Sequence, residues 1–556
     1  MVNLESKRLE DILKLINGLI LLILLNLLVS NYFFRIDLTQ EKRYSISEPT
    51  REMLKELPDN VYVEVYLEGD LPAGFKRLQL AIQETLEEFR VYSNNKVQYS
   101  FVDPDQASTA QSRDDYMMSI AEKGIQPTDI FLTENDRKVQ KRILPGAVIT
   151  YGSREKGVQL LKGNKGASSE MQLNQSAEGV EYNLASAIRI LTKARPEVIG
   201  FTGGHGELSG KEILAFREAL SEQYILTDID LSDNQNMSGV DLIFIAKPEK
   251  RFSQVEKFNL DQFVLKGGKA IFLIDAVSVK PDTVSISFPY DLNLDDQLFK
   301  YGVRVNKDLA QDMFSLSEPI VVGNMGEQPQ IQLLPWPFYP LINTFGNHPI
   351  VRNLDAISTS YVSSLDTVKA DGVRKTPLLF TSPYSRTIST PVQIDFDELK
   401  KPLNPENFSQ SNIAVGYLLE GDFTSVFKNR PLPREVNQNS FIENGESSII
   451  IVADGDLARS RLHPQNDSPL PLGYDYYSQR TFANQDFLLN AVQFLLDDNG
   501  LIQSRNKEII LRPLDKVKVD AERSKWQLIN LLVPVIFIVL YGLGSNFLRK
   551  RKYSSF

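Results

Sequence analysis

Apolar residues are nearly continuous at the two ends of the 556-residue chain and periodic between them. Ile12 to Phe34 and Leu528 to Phe547 each offer about 20 largely uncharged residues, enough for a helix to cross a hydrocarbon core of roughly 30 Å. Both are read as retained membrane anchors. LLVSNYFFRID carries no small-x-small cleavage site, and Arg549-Lys550-Arg551-Lys552 follows the second stretch at once. Basic clusters stay on the cytoplasmic side, which places the C-terminal tail, 548–556, inside. Two spans then place residues 1–11 inside as well, and the body, from about 36 to 525, on the extracytoplasmic side.

The body reads as α/β. After Ser47, a candidate helix cap with Glu48 and Pro49 in the first turn, VYVEVYLEG alternates as a strand, Phe75 to Tyr92 has helical spacing, and VQYSFVDPD returns as a strand. A crossover helix between two strands implies that they are parallel. DIFLTEN, KVQKRILPG and AVITYG follow as short strands, giving an N-terminal α/β domain over 35–162. Gly163 to Gly179 is small and polar and is read as a flexible loop. A central domain over 180–500 then alternates buried strands (EVIGFTG, TDIDL, DLIFIAKP, KAIFLID, SSIIIVADGDLA) with helices at Lys211–Gln223, Ser253–Lys266 and Gln485–Leu496. That pattern predicts a doubly wound parallel sheet. About 281–444 is proline-rich and is expected as an elaborated insertion, and 501–527 as a membrane-proximal segment.

Composition narrows the chemistry. Apolar residues make up 42% and charged ones 24%, enough for a substantial core. The net charge is −10, and the body is more acidic still because the C-terminal cluster is basic. Nucleic acid and anionic membrane surfaces are therefore poor partners. With no cysteine, disulfides, thiolate metal sites and cysteine nucleophiles are excluded. His205, His348 and His463 are far apart, so no histidine-rich metal site is expected; neither is a cofactor.

Two places have the residue types for a site. FTGGHGE (Thr202, Gly203, Gly204, His205, Gly206, Glu207) lies where a strand gives way to a helix and can present backbone N–H groups to an anion. Its spacing is neither GxGxxG nor a P-loop, and the alternative is a tight packing turn. Asp454 and Asp456 follow a parallel-type strand, where ligands bind, and two carboxylates there can hold magnesium or merely close a turn. There is no G-x-S-x-G, and an enzymatic role is not expected. The run LLPWPFYPLI, with Trp336, Phe338 and Tyr339, is read as a proline-stiffened loop, either a partner surface or packed on the sheet.

DLTQEKRYSIS with VYLEGDLPAGFKRL, FTGGHGE with DLIFIAKP and KAIFLID, and ADGD with NAVQFLLDD before a C-terminal span together resemble the GldG family of gliding-motility-associated ABC transporter auxiliary proteins of Bacteroidota. The resemblance covers nearly the whole chain. It implies a periplasm-facing, membrane-anchored subunit, often labelled as the substrate-binding component. Its implied partners are a polytopic GldF-like permease and, through it, a cytoplasmic GldA-like ATPase. It also implies a central domain similar to that of intraflagellar-transport proteins and related to flavodoxin-like or amidotransferase-like folds. The expectation is a non-enzymatic accessory subunit coupled to the permease through Leu501–Lys525. The alternatives are a binding protein for a small anionic or glycan-like ligand, or a hydrolase using His205 and Glu207.

Overall fold

Alternation in VYVEV turns Val61, Val63 and Val65 to one side of strand β1 (Val61–Val65), where all three are buried. They meet Leu78, Ile82, Leu86 and Phe89, spaced at three and four along the next helix of the body. The computed structural model describes residues 4–31, 45–104, 110–134, 137–161, 168–193, 195–233, 237–279, 284–325, 328–395, 403–436, 438–497, 500–506 and 516–553. The chain divides into two compact units, Met1–Lys507 and Glu508–Phe556.

The first unit opens with helix α1 (Leu4–Asn31), whose described apolar stretch is Ile12–Leu24. Phe34, the expected end of the first span, lies outside the described residues. Then come α2 (Glu48–Lys55), β1, α3 (Ala73–Tyr92), β2 (Val97–Phe101), α4 (Ala110–Glu122), a hairpin of β3 (Thr128–Glu134) and β4 (Arg137–Ile143), β5 (Gly146–Tyr151) and β6 (Arg154–Gln159). β1 and β2 are parallel, as the crossover helix requires, in a sheet ordered β2-β1-β5-β6.

The expected loop 163–179 is corrected for its described part. Ser168 caps α5 (Ser169–Thr192) by accepting from Met171 N, so the polar stretch forms the first turns of a helix. Val180, Leu184, Ile188 and Leu191 on α5 complete the core around β1, so the N-terminal fold runs to the end of this helix rather than to residue 162. Glu181 on α5 also accepts from Ser47 N at 2.7 Å and Thr50 Oγ1 at 2.8 Å. A carboxylate supplied from another helix thus holds the start of α2, where the sequence suggested the Ser47 side chain as cap; that side chain makes no capping bond.

The central sheet follows with β7 (Val198–Thr202), α6 (Leu214–Ser221), β8 (Ile225–Ile229), β9 (Leu242–Ala246), α7 (Gln254–Leu265), β10 (Lys269–Leu273) and α8 (Asp295–Tyr301). Four strands, β8-β7-β9-β10, and Asn444–Val452 beside β10 are mutually parallel. In chain order that is 2-1-3-4-5. Beyond Asn444–Val452 the sheet continues through Ala414–Thr424, Val373–Phe380 and Thr344–Phe345 with antiparallel pairings. It is therefore an eight-stranded mixed sheet, where the sequence suggested a parallel one: the 281–444 region contributes strands to the sheet itself. Strict alternation buries both faces. Leu242, Phe244 and Ala246 pack with Phe216 of α6 and Phe487 of α9 (Asn484–Leu495), and Ile243 and Ile245 pack with Leu260 and Val264 of α7.

The two ends of this body meet. The 3₁₀ segment Leu501–Asn506 packs on α5 and on α2, with Leu501 and Ile502 each 1% exposed. The second unit is α10 (Lys516–Tyr553), which contains Pro534. Within it Glu522–Arg551, whose apolar 18-residue window has a mean hydropathy of 2.2, is among the described residues the one helix long and apolar enough to cross a membrane. Leu528 and Phe547 are exposed along it, as is Ile12 on α1.

Candidate functional site

Parallel strands deliver their carboxyl ends to one edge of a sheet, and three of these ends carry charge. β9 runs out into Lys247, β10 into Asp275, and Asn444–Val452 into Asp454 and Asp456. Lys247 Nζ donates to Asp275 Oδ2 at 2.6 Å and to Asp456 Oδ2 at 2.7 Å. Gly455 N donates to Asp275 Oδ1 at 2.6 Å, while the Asp454 carboxyl accepts from Asp456 N at 2.8 Å and Ser360 N at 3.0 Å. Arg459 Nη1 lies 2.6 Å from Asp456 Oδ1.

The backbone is shaped to make this fit. Lys247 has φ +55°, a left-handed conformation that a residue with a β-carbon adopts at a cost. Gly455 is obligatory for a different reason: a Cβ there would stand 2.7 Å from Lys247 Cγ and 3.0 Å from Asp275 Cγ.

Burial pushes the Asp275 carboxyl up against the pull of Lys247. It pushes Asp454 well above the usual carboxylate range, helped by the neighbouring Asp456 and Asp275. Burial alone would lower the Lys247 ammonium, but Asp275 and Asp456 outweigh it and hold its pKa above the ordinary lysine value. Ligand atoms of Asp275, Asp454 and Asp456 lie within 4.8 Å of one another, a spacing suited to a hard cation. Lys247 Nζ already bonds two of the three, Asp275 and Asp456, so the cluster carries its own cation.

The cluster forms part of the wall of a cavity of about 900 Å³. Its lining includes Glu249, Lys250, Tyr290, Arg461 and Tyr477, together with Ser358, Ser360 and Asn484. Arg461 pairs with Asp475 at 2.8 Å and approaches Glu318 at 3.6 Å. Tyr361, at φ +52°, lines the same cavity, so two residues in left-handed backbone other than Gly, Asn or Asp face it.

FTGGHGE does not line this cavity. Gly204 and Gly206 have φ of +104° and +82°, which explains the glycines as turn residues. The turn is not a helix N-terminus, because a 3₁₀ turn (Gly210–Glu212) intervenes before α6 and the helix expected at Lys211–Gln223 is α-helical only over Leu214–Ser221. His205 is buried and stacks on Phe252 with ring centroids 3.8 Å apart. Its Nδ1 lies 3.3 Å from Glu207 Oε1 and its Nε2 3.2 Å from Glu256 Oε2. Burial alone would lower the imidazole, but these two carboxylates outweigh it and raise its pKa. Thr202 is buried with its hydroxyl toward Phe244 O, and Gly203 N donates to Ile229 O. With both ring nitrogens engaged, His205 acts as a clamp. Its carbonyl accepts from Glu249 N and Lys250 N, fixing two residues of the cavity lining that follow Lys247 in the chain.

LLPWPFYPLI is a strand, within Gln328–Ile342, rather than a loop. Trp336 and Phe338 are buried in a small core with Leu309, Tyr361 and Ile394, so neither forms an exposed partner surface. Tyr339 is half-buried and lines the cavity. The structure thus joins Asp454 and Asp456 to Lys247, Asp275 and Arg459, which sequence reasoning missed. The missed signal was positional: Lys247 closes DLIFIAKP and Asp275 closes KAIFLID, both at the edge where parallel strands present ligand-binding groups.

An ABC-type uncharacterized transport system family matches residues 196–491, and a domain of unknown function matches residues 40–150. An uncharacterized protein of Borreliella burgdorferi is 21% identical over 555 residues, 98% of this chain and 99% of that one. Among solved structures, the mmIFT52 N-terminal domain aligns at TM-score 0.32 and 14% identity, over 53% of this chain and 96% of its own. A ThuA-like protein from Parabacteroides merdae aligns at 0.26 and 9%, over 54% and 89%. Both scores are below the level from which a common fold follows. The first match spans just over half of the chain, and the protein belongs to that family, the auxiliary proteins of ABC-type transport systems.

Proposed function

We propose that this protein is a non-enzymatic, membrane-anchored accessory subunit that ties a periplasmic body to an ABC permease. The observation that carries this reading is the convergence of α2 and Leu501–Asn506 on α5, so that the chain enters and leaves the body side by side. Such an arrangement suits two helices, Ile12 to Phe34 and Leu528 to Phe547, that insert into one membrane with both termini cytoplasmic. α9 supports a coupling role. Its first residue, Asn484, lines the cavity and bonds Ser358, while Tyr182 and Arg189 of α5 donate to Gln493 Oε1 and Leu496 O at its other end. A GldF-like permease, a GldA-like ATPase and a part in gliding motility are the finer form of the proposal. Purification of the tagged protein in mild detergent, followed by mass spectrometry, should recover a permease and an ATPase in stoichiometric amount. Recovery of the chain alone, even after cross-linking, would overturn it.

A second reading makes the body a ligand-binding component. It is favoured by the cavity at the carboxyl edge of the sheet, walled by residues in strained backbone. A ligand screen by thermal stabilisation tests it, since a ligand that binds only the folded state raises the melting temperature.

A further inference from the structure

Ser460 is 2% exposed, lines the cavity, and has a hydroxyl without a hydrogen-bond partner. Arg459 Nε is likewise buried and unpaired. Asp456 Oδ1, although close to Arg459 Nη1, receives no well-directed hydrogen bond. Buried polar atoms left without partners are costly and rare, and here two fall on adjacent residues of the cavity lining, beside a carboxylate oxygen held by an ion pair.

What would satisfy them is constrained by their chemistry. A carboxylate oxygen only accepts, Arg Nε only donates, and a serine hydroxyl does both. A metal ion or simple ammonium cannot accept, and a fully ionised phosphate cannot donate. The lining holds seven carboxylates against four cationic side chains, which disfavours an anion, and Lys247 already supplies the cation that the inner carboxylates would attract. Six tyrosines, among them Tyr290, Tyr361 and Tyr477, add flat faces that can cover the C–H face of a ring. Hydroxyl groups donate and accept at one atom.

We propose that this cavity binds an uncharged, hydroxyl-rich small molecule, a sugar or polyol, with hydroxyls bonded to Asp456, Arg459 and Ser460. The volume of about 900 Å³ admits one or two sugar rings. The proposal rests on the reading of the body as a ligand-binding component and names the class of its ligand.

Full-length protein in detergent is titrated with neutral hexoses, disaccharides and polyols, and in parallel with inorganic phosphate, magnesium chloride and glycine, by thermal shift and calorimetry. A neutral sugar or polyol should bind saturably. Ser460→Ala should weaken it about 3- to 10-fold, the worth of one hydrogen bond, while leaving the unliganded melting temperature unchanged or raised. Tyr477→Leu, at a side chain 42% exposed, provides a second variant that should weaken binding without unfolding the protein. Binding of phosphate, magnesium or glycine in place of sugars would overturn the ligand class and leave the cavity reading standing. Sugar binding indifferent to both variants would overturn the location. No binding of any probe would overturn the proposal and the ligand-binding reading together.

Discussion

Lys247 Nζ lies 2.6 Å from Asp275 Oδ2, although the two residues end neighbouring strands and are 28 positions apart. The lysine neutralises carboxylates that burial and mutual repulsion would otherwise keep protonated or force apart. Removing it by Lys247→Ala should cost about 3–5 kcal/mol, because buried charge is left without a counterion. Lys247→Gly should be less damaging than Lys247→Ala by about 1 kcal/mol, because glycine accepts the left-handed backbone without strain. Denaturant midpoints of the two variants give the comparison, and equal midpoints would sink the strain argument.

The same substitution tests the cation balance. With the ammonium gone, Asp275, Asp454 and Asp456 keep the spacing for a divalent ion. Calcium should raise the melting temperature of Lys247→Ala and leave the native protein unchanged. A calcium-induced shift in the native protein would show that lysine and metal are not competitors.

Gly455→Ala should disrupt the cluster more than a buried methyl group warrants, since the new Cβ would stand 2.7 Å from Lys247 Cγ. A loss of about 1–3 kcal/mol is expected, typical of overpacking. Asp275→Ala made in the same background should recover part of it by opening space; strictly additive effects would argue against the contact.

The His205 clamp sets a pH window. Burial opposes charge on all three groups, yet hydrogen bonding holds the imidazole above its ordinary 6.5 and Glu207 and Glu256 below their ordinary 4.5. The histidine's contribution is complete below 6.5 and lost as pH rises through its raised value. The glutamates' contribution is complete above 4.5 and lost as pH falls through their lowered values. Stability from the clamp should therefore peak between these two ordinary values. His205→Gln should flatten the profile, and His205→Ala should cost about 3 kcal/mol. Urea melts over roughly pH 4 to 9 would show it; an unchanged profile in His205→Gln would remove the clamp from the account.

Trp336→Ala should destabilise the body by about 3–5 kcal/mol, because the ring is 2% exposed and packs against Phe338. Loss of permease co-purification at unchanged stability would instead restore Trp336 as a partner contact.

Much of the fold was legible from periodicity. VYVEV, EVIGFTG, DLIFIAKP, KAIFLID and SSIIIVADGDLA each form a strand, because continuous or alternating β-branched runs leave few other ways to bury their side chains. Ser253 caps α7 with Glu256 in a reciprocal capping box, a signal written in four adjacent residues. The 11 residues 169–179 misled because polar residues near a helix start look like a loop when the partner surface is out of sight.

The sequence by itself determined the apolar ends, the α/β alternation and the pairing of Asp454 with Asp456, because those depend on neighbours within a few positions. Only the tertiary structure decided that Lys247 and Asp275 join them, that His205 is a clamp, that Trp336 is core, and that Glu181 holds α2 at a distance of 131 residues from Thr50. These depend on which strand ends lie side by side, and strand order is set by long-range packing that no local pattern contains.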